Sequence, residues 1–492
     1  MSIAFNVLPD TVRVPFAYAE FDGSGASDDP ALMPYTVLMV GQMLDSGTAE
    51  AGTVQRPMSA AQAATLFGEG SQLAAMCAAY LNANSITKML AIGVKDAEEG
   101  TAAKGALTIN GTCVNAVPLC LYINGKLVRA AAPLAAEASA VAENLTNAIN
   151  ADKSLPVTAT FSGGEVSLTA RHKGECGNDI DLRISYYDED KPGGLTFSFT
   201  QMTGGGAGNP DPAPVIAAMA NDQYHVIAWP WTDSASLAAL RDELADRWGP
   251  LRQIDGQAIV VKRGSYGDVT TFAGERNDKH LTVFASEGSP TSPWEDAAAT
   301  AGVIAYYGNS DPARGFNTLL VPGVLAPAPA DRWTDFPEKN QALFEGVSTR
   351  YVAPDGTVRL QKCITTYRLN DLGAEDKAFL SLNSPLTLSY LRYDWNNYLR
   401  TKYPRHKLAS DADAARYDAS QPIMTPKLGR AEAIARFMDA WLPMGLVEGS
   451  EQFKAALLCE RNAKNENRLD WLLRPDLVNQ FEVAGTLIRH IV

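Results

Sequence analysis

The chain changes its hydrophobic period several times, and each change marks a segment. Ile3, Phe5 and Val7 alternate with small or polar residues, and after Pro9-Asp10 the alternation resumes at Val12, Val14, Phe16 and Tyr18. A period of two predicts strand. Pro9 and Pro15 lack the N–H that a ladder needs, so this stretch reads as an edge strand or as an arm that pairs with a partner. Asp22–Pro30, built from Gly, Ser, Ala and Asp, reads as a flexible linker. The far end has a similar character: Phe481, Val483, Leu487 and Ile491 punctuate a final strand-like segment.

Between these ends the period alternates between strand and helix. Tyr35–Val40 is a short apolar strand, Ser59-Ala60-Ala61-Gln62 a capping-box helix start, Ser71–Asn82 a second helix, and Thr87–Val94 another strand. Strand, helices, strand predicts a parallel pair joined by a right-handed crossover. From Gly105 to Thr200 the strands become short and are separated by Asn-Gly, Gly-Gly and Pro-Gly-Gly turns, with one helix at Ala136–Asn150. Asn124-Gly125 predicts a tight hairpin. The α/β alternation then returns, with strands at Tyr224–Ala228, Gln257–Lys262 and Leu281–Ala285 and helices between them. These strands are expected to resume the first sheet, which makes the β-rich block an insertion.

Later, Val347–Val352 and Val358–Tyr367 flank Pro354-Asp355-Gly356, a strong hairpin signal. This hairpin is expected to build a separate C-terminal core sheet to which both chain ends return. Helices are expected at Leu386–Lys402, Lys427–Trp441 and Glu451–Asn465. The predicted fold class is multidomain α/β. A parallel α/β sheet domain carries an inserted β-rich domain, followed by a C-terminal α+β core domain, with extended N- and C-terminal arms. The expected boundaries are 1–30 for the N-terminal arm and linker, 31–99 and 209–330 for the two parts of the α/β domain, 100–208 for the insertion, 331–480 for the C-terminal core, and 481–492 for the last strand.

Length and composition refine this picture. At 492 residues the chain is too long for one core. Its 46% hydrophobic and 20% charged residues describe a folded protein, and a net charge of −14 argues against a general nucleic-acid binder. No apolar run is long enough to cross a bilayer, and the start lacks a signal peptide's basic and apolar regions, so the chain is expected to stay in a cytoplasm. The six cysteines are scattered without a CxxC pair, which predicts buried free thiols. Basic residues slightly outnumber acidic ones after Leu386, against the overall trend.

Candidate chemistry is thin. No Gly-x-Ser-x-Gly or phosphate-loop sequence occurs. His172 and Cys176 share a short stretch, but no further Cys or His lies near enough to complete a metal site. His225 opens a predicted buried strand and reads as packed. Tyr390, Tyr393, Trp395 and Tyr398 read as an aromatic packing or docking face of their helix, with core packing the favoured of the two. The alternative with chemistry in it is a cytoplasmic α/β enzyme holding a nucleotide or anion in the loop Lys262–Gly267.

An ordered set of stretches resembles the contractile tail sheath proteins of Mu-like phages: Val12–Asp22, Leu121–Gly125, Leu145–Ala151, Leu155–Ala159, Leu168–Ile180, Tyr306–Arg314, and the late hairpin with Ile364–Tyr367. The resemblance implies a structural protein without cofactor or catalytic residues. It implies hexameric rings stacked helically around a tail tube, contracting on a baseplate trigger to drive the tube through the host envelope. The implied partners are copies of itself, the tail tube protein, and the baseplate and tail terminator proteins, with no direct nucleic acid and no stable membrane insertion. The implied location is the virion tail, after assembly in the host cytoplasm. In such proteins both terminal segments add to sheets of neighbouring subunits. Here that points to Ile3, Phe5, Val7, Val12, Val14 and Phe16 at one end, and to Phe481, Val483, Leu487 and Ile491 at the other. Lys427, Arg430 and Arg436 become candidate contacts to an acidic tube, with the insertion facing outward.

Overall fold

The computed structural model describes residues 33–206, 208–418 and 420–490. The N-terminal strand expectations at Ile3–Tyr18, and Ile491 at the other end, lie outside the described residues. Two compact units emerge: Pro34–Leu386 together with the segment beginning at Gln480, and Thr387–Asn479.

The first unit is organised on a sheet of eight strands. In chain order they begin with β1 (Thr36–Gln42), β2 (Val54–Gln55) and β3 (Lys88–Val94). Helices α1 (Ala60–Phe67) and α2 (Gln72–Ala83) lie between β2 and β3, capped by Ser59 and Ser71. β1 pairs with β3 in parallel, as the strand–helix–strand pattern predicts.

The chain then leaves for the insertion. Strands β4 (Ala102–Gly111), β5 (Leu119–Ile123) and β6 (Lys126–Ala130) precede helix α3 (Ala138–Ala151). Strands β7 (Val157–Ser162), β8 (Glu165–Lys173), β9 (Leu182–Ile184) and β10 (Leu195–Thr203) follow it. They make a four-stranded sheet in the order β10-β4-β8-β7 and a three-stranded sheet in the order β6-β5-β9. Asn124 and Gly125 have φ of 53° and 75°, the double positive φ that a two-residue hairpin turn needs. Val141, Leu145 and Ile149 form the buried stripe of α3.

After helix α4 (Ala213–Met219) the chain returns as β11 (Val226–Ala228), which pairs in parallel with β1. Helix α5 (Ser234–Trp248), β12 (Gln257–Lys262), helix α6 (Tyr266–Gly274), β13 (Leu281–Ala285) and helix α7 (Pro293–Ser310) continue the alternation. Leu38, Val40, Ile227, Val260 and Val283 share one core with Val215, Leu237, Leu240 and Phe272, from the helices on that face. Alternate residues of the same strands point the other way. There α7 packs on α2, and Gly302 permits the approach: a Cβ there would lie 3.2 Å from Ala83 Cβ and 3.3 Å from Tyr80 Cδ2. Both faces being covered, the strands read as continuous apolar runs.

After the short helix α8 (Asn340–Phe344), the late hairpin differs from expectation. Its strands β14 (Val347–Val352) and β15 (Val358–Lys362) do not found a separate sheet. Val347 and Ser348 pair in parallel with Val283 and Phe284, so the hairpin extends the α/β sheet. Its second strand stops at Lys362, not Tyr367. Arg350 on β14 is buried and bonds to Asp296 and Thr300 of α7, which fixes the hairpin to the helical layer. A local pattern announces a hairpin but carries no information about which distant strand it joins.

Buried titratable groups give this unit a pH signature. Burial pushes the Asp278 carboxyl up from 3.8 to about 6. Folding therefore favours its protonated form, and its contribution is present below 3.8 and lost as pH rises through 6. Asp278→Asn keeps an oxygen to accept the His280 backbone N–H at 2.8 Å. It is expected to stabilise the unit by ~1–3 kcal/mol at pH 8. Thermal melts should show that gain shrinking to nothing near pH 4. Burial drives His225 the other way, from 6.5 down to about 4, so its contribution is lost as pH falls through that window.

The second unit is smaller and mostly helical. Helix α9 (Asn383–Lys402) runs into it, helix α10 (Pro426–Arg436) continues as a wider turn through Phe437–Trp441, and α11 (Ser450–Ala456) is short. The expected helix Glu451–Asn465 is interrupted. Leu458–Arg461 and Leu469–Leu472 are antiparallel strands instead. The intervening Asn462 and Asn465 side chains bond to nearby backbone N–H groups and close the loop, at 2.9 Å from Lys464 N and 3.1 Å from Asn467 N.

Candidate functional site

No catalytic constellation forms among the described residues. In the loop Lys262–Gly267, Lys262 Nζ donates to Thr232 Oγ1 at 3.0 Å, and Arg263 Nη2 donates to the carbonyls of Ser289 and Thr291 at 2.9 Å each. Ser265 and Asp268 form a reciprocal capping box at the start of α6. A carboxylate of the chain itself already occupies the position an anion would take. His172 and Cys176 do not converge on a metal position, and no cluster of three or more ligating side chains exists among the described residues. His172 Nδ1 lies 2.7 Å from Asp96 Oδ1, while its Nε2 accepts the Gln72 N–H at 3.0 Å. Cys176 Sγ donates to Gln42 Oε1 at 2.9 Å. This network ties the insertion to the sheet. His225 stacks on Tyr35 with ring centroids 4.4 Å apart and is packed, as expected. Five of the six cysteines are buried and Cys459 is half-buried; all six are free.

What the surface offers is unpaired structure. Residues 481–490 follow the last strand and adopt none themselves. Phe481, Val483, Leu487 and Ile488 are 83%, 85%, 78% and 85% exposed. Four large apolar side chains in eight residues in water are costly for an isolated chain and mark a surface meant to be covered. In an extended conformation Phe481, Val483 and Leu487 fall on one face.

The second open feature lies within the 387–479 unit. The hairpin of Leu458–Arg461 and Leu469–Leu472 is a two-stranded sheet, and neither strand has an outer neighbour among the described residues. Leu458 and Leu472 are exposed. One face is well supported. Trp471 Nε1 donates to Gly429 O at 3.0 Å, and its ring meets Trp395 edge-on at 5.8 Å. A Cβ on Gly429 would lie 3.0 Å from Cys459 Sγ and Leu469 Cδ2, so a side chain there would push the hairpin outward from α10. A two-stranded sheet with two open edges is marginal alone and a ready template for added strands.

The three cations proposed from sequence separate. Lys427 and Arg430 are exposed on α10, and Arg430 Nε also reaches the carbonyl of Leu457 at 3.3 Å. Arg436 is not a surface contact. It is 5% exposed and pairs with the wholly buried Asp394, its Nε 2.8 Å from Oδ2. Trp441 Nε1 donates to the same oxygen at 2.7 Å. Helical spacing from Lys427 and Arg430 did not place Arg436 on their face. The aromatic set on α9 is core, with Tyr390, Trp395 and Tyr398 buried and Tyr393 half-buried.

Comparison with known proteins adds independent findings. Residues 205–366 match the phage tail sheath protein central domain, and residues 374–486 match the phage tail sheath C-terminal domain. The chain is 41% identical to the Mu-like prophage FluMu tail sheath protein of Haemophilus influenzae over 493 residues, covering 100% of each chain. Among solved structures, the sheath tail protein of Desulfitobacterium hafniense aligns at 14% identity and a TM-score of 0.46, covering 94% of this chain and 100% of that one. A chain of the anti-feeding prophage baseplate aligns at 11% identity and a TM-score of 0.49, covering 98% and 100%.

Proposed function

This chain belongs to the phage tail sheath family, and from that premise we propose that it is the structural subunit of a contractile tail, polymerising as helically stacked hexameric rings around a tail tube. The observation that carries this reading is the pairing of two deficits among the described residues: an apolar C-terminal segment without a sheet, and a hairpin with no outer strand on either edge. Each supplies what the other lacks, but between copies. Residues 481–492 of one copy add to the 458–472 hairpin of a neighbour, through Phe481, Val483, Leu487 and Ile491. The arm carrying Ile3, Phe5, Val7, Val12, Val14 and Phe16 takes the other edge from a second neighbour. Such links are individually weak and act together along the polymer.

Contraction is then a rigid-body change between two packings of the same folded units, with the links kept intact. The work is mechanical and requires no cofactor. It drives the tube through the host envelope after a baseplate signal. The remaining partners are the tube, baseplate and tail terminator proteins, and assembly takes place in the host cytoplasm before the particle is released. The α/β enzyme reading is not favoured, because the cations of Lys262–Gly267 are already engaged.

Negative-stain microscopy of the purified full chain tests the reading directly. Tubes or stacked rings are expected, and compact single particles at every protein concentration tried count against it. The insertion faces outward in this scheme, and the 387–479 unit faces the tube. Lys427→Glu with Arg430→Glu is expected to weaken co-sedimentation with tail tubes roughly tenfold at moderate salt. Unchanged co-sedimentation would remove these two residues from the interface.

A further inference from the structure

The chain leaves the 387–479 unit at Asn479 and rejoins the α/β unit at Gln480. It is gripped at once. Gln480 Nε2 donates to the Ala313 carbonyl at 3.0 Å, and its Oε1 accepts from Ser381 Oγ at 3.2 Å. Two residues on, the Glu482 carboxylate pairs with Lys362 Nζ at the end of β15. The gripping groups are themselves fixed. Asn383 Nδ2 donates to the carbonyls of Pro312 and Arg314 at 2.8 Å each, which holds the loop carrying Ala313. Beyond Glu482 every described residue is exposed.

Upstream, the final structure of the 387–479 unit is slight. Asp476–Leu477 pairs with Val447–Glu448 over two residues, and Val478 N donates to Leu446 O at 3.2 Å. A ladder pulled from its end loads one bond at a time. Tension from the C-terminal side meets the Lys362–Glu482 pair first and the Gln480 bonds to Ala313 and Ser381 next, before it reaches that ladder.

We propose that Gln480 and Glu482 form a clasp that delivers tension in the C-terminal segment to the α/β unit and shields the 387–479 unit from it. The proposal rests on the reading that residues 481–492 pair with a neighbouring copy. The clasp sets the root of the arm: the Gln480 and Glu482 side chains are held by their own subunit, while Phe481, exposed between them, and the residues from Val483 onward are available to another. The 387–479 unit is then free to follow its own contacts while the link between copies stays taut. An exposed ion pair alone holds little, so the amide of Gln480 must share the load.

The test compares assembled tubes of the full chain with those of two variants after a fixed dose of shear, measured as mean tube length. Gln480→Ala with Glu482→Ala is expected to assemble with normal helical parameters and to break into pieces several-fold shorter than the parent. Lys362→Glu with Glu482→Lys reverses the ion pair and is expected to survive nearly as well as the parent. Equal shear survival of the clasp-less variant overturns the proposal. So does failure of that variant, shown folded by its thermal melt, to form any tubes, because the clasp would then govern pairing and not load. A chain ending at Val483 separates the two readings: tubes from it overturn the strand pairing itself, whatever the clasp does.

Discussion

A chain ending at Val483 is expected to fold normally and to form no tubes. Residues 484–490 are exposed and bury no apolar side chain, so thermal melts of the truncated and full chains should nearly coincide. The effect on assembly should be nearly complete, for a reason of scale. A donated strand of ~8 residues gains ~4 backbone hydrogen bonds of ~1 kcal/mol net each. Ordering it costs ~1–2 kcal/mol per residue. Backbone pairing alone therefore fails to offset the ordering, and each buried apolar side chain, contributing ~2 kcal/mol, decides the sign. The same reasoning predicts that Val483→Asp with Leu487→Asp, on one face of the extended segment, abolishes tubes without shortening the chain. Sedimentation and negative-stain images at matched concentration are the measurements. Tubes of ordinary length from either variant would sink the strand-pairing scheme.

Asp394→Ala is expected to cost the 387–479 unit ~3–5 kcal/mol, because it strands the Arg436 guanidinium in a buried site without its counter-charge. It also deprives the Trp441 indole N–H of its acceptor. Against a typical domain stability of ~5–15 kcal/mol, that loss should separate one melt into two, with this unit unfolding first. Arg436→Ala should behave alike, leaving a buried carboxylate instead. Replacing both by apolar residues of similar bulk should recover most of the loss, since the cost lies in the unpaired charge and not in the missing ion pair. An Arg436→Ala protein with an unchanged melt would return Arg436 to the surface role that its sequence position suggested.

Much of the fold is legible along the chain where one residue's neighbours decide its state. The period-two runs of the insertion, its Asn124-Gly125 turn and the stripe of α3 appear within a few residues of their expected bounds. The buried strands of the α/β sheet announce themselves as short apolar runs between capped helices, and the return of β11 to β1 follows from that alternation. The 450–465 region is less legible. Its Leu, Ala, Glu and Lys content favours helix, and only the Asn-rich stretch after Arg461 hints at a turn. Pairing with Leu469–Leu472 and the close approach of Gly429 overrule the propensity.

Sequence alone therefore determined most strands and helices of the α/β sheet and of the β-rich block, and which family the chain resembles. These depend on local period, turn chemistry and ordered similarity. Tertiary structure alone decided three matters: that the late hairpin extends the α/β sheet, that Arg436 is a core residue, and that the 458–472 hairpin has no outer strand among the described residues. Each rests on contacts between residues far apart in the chain, and a charge or a strand edge reads the same locally whether water or protein covers it.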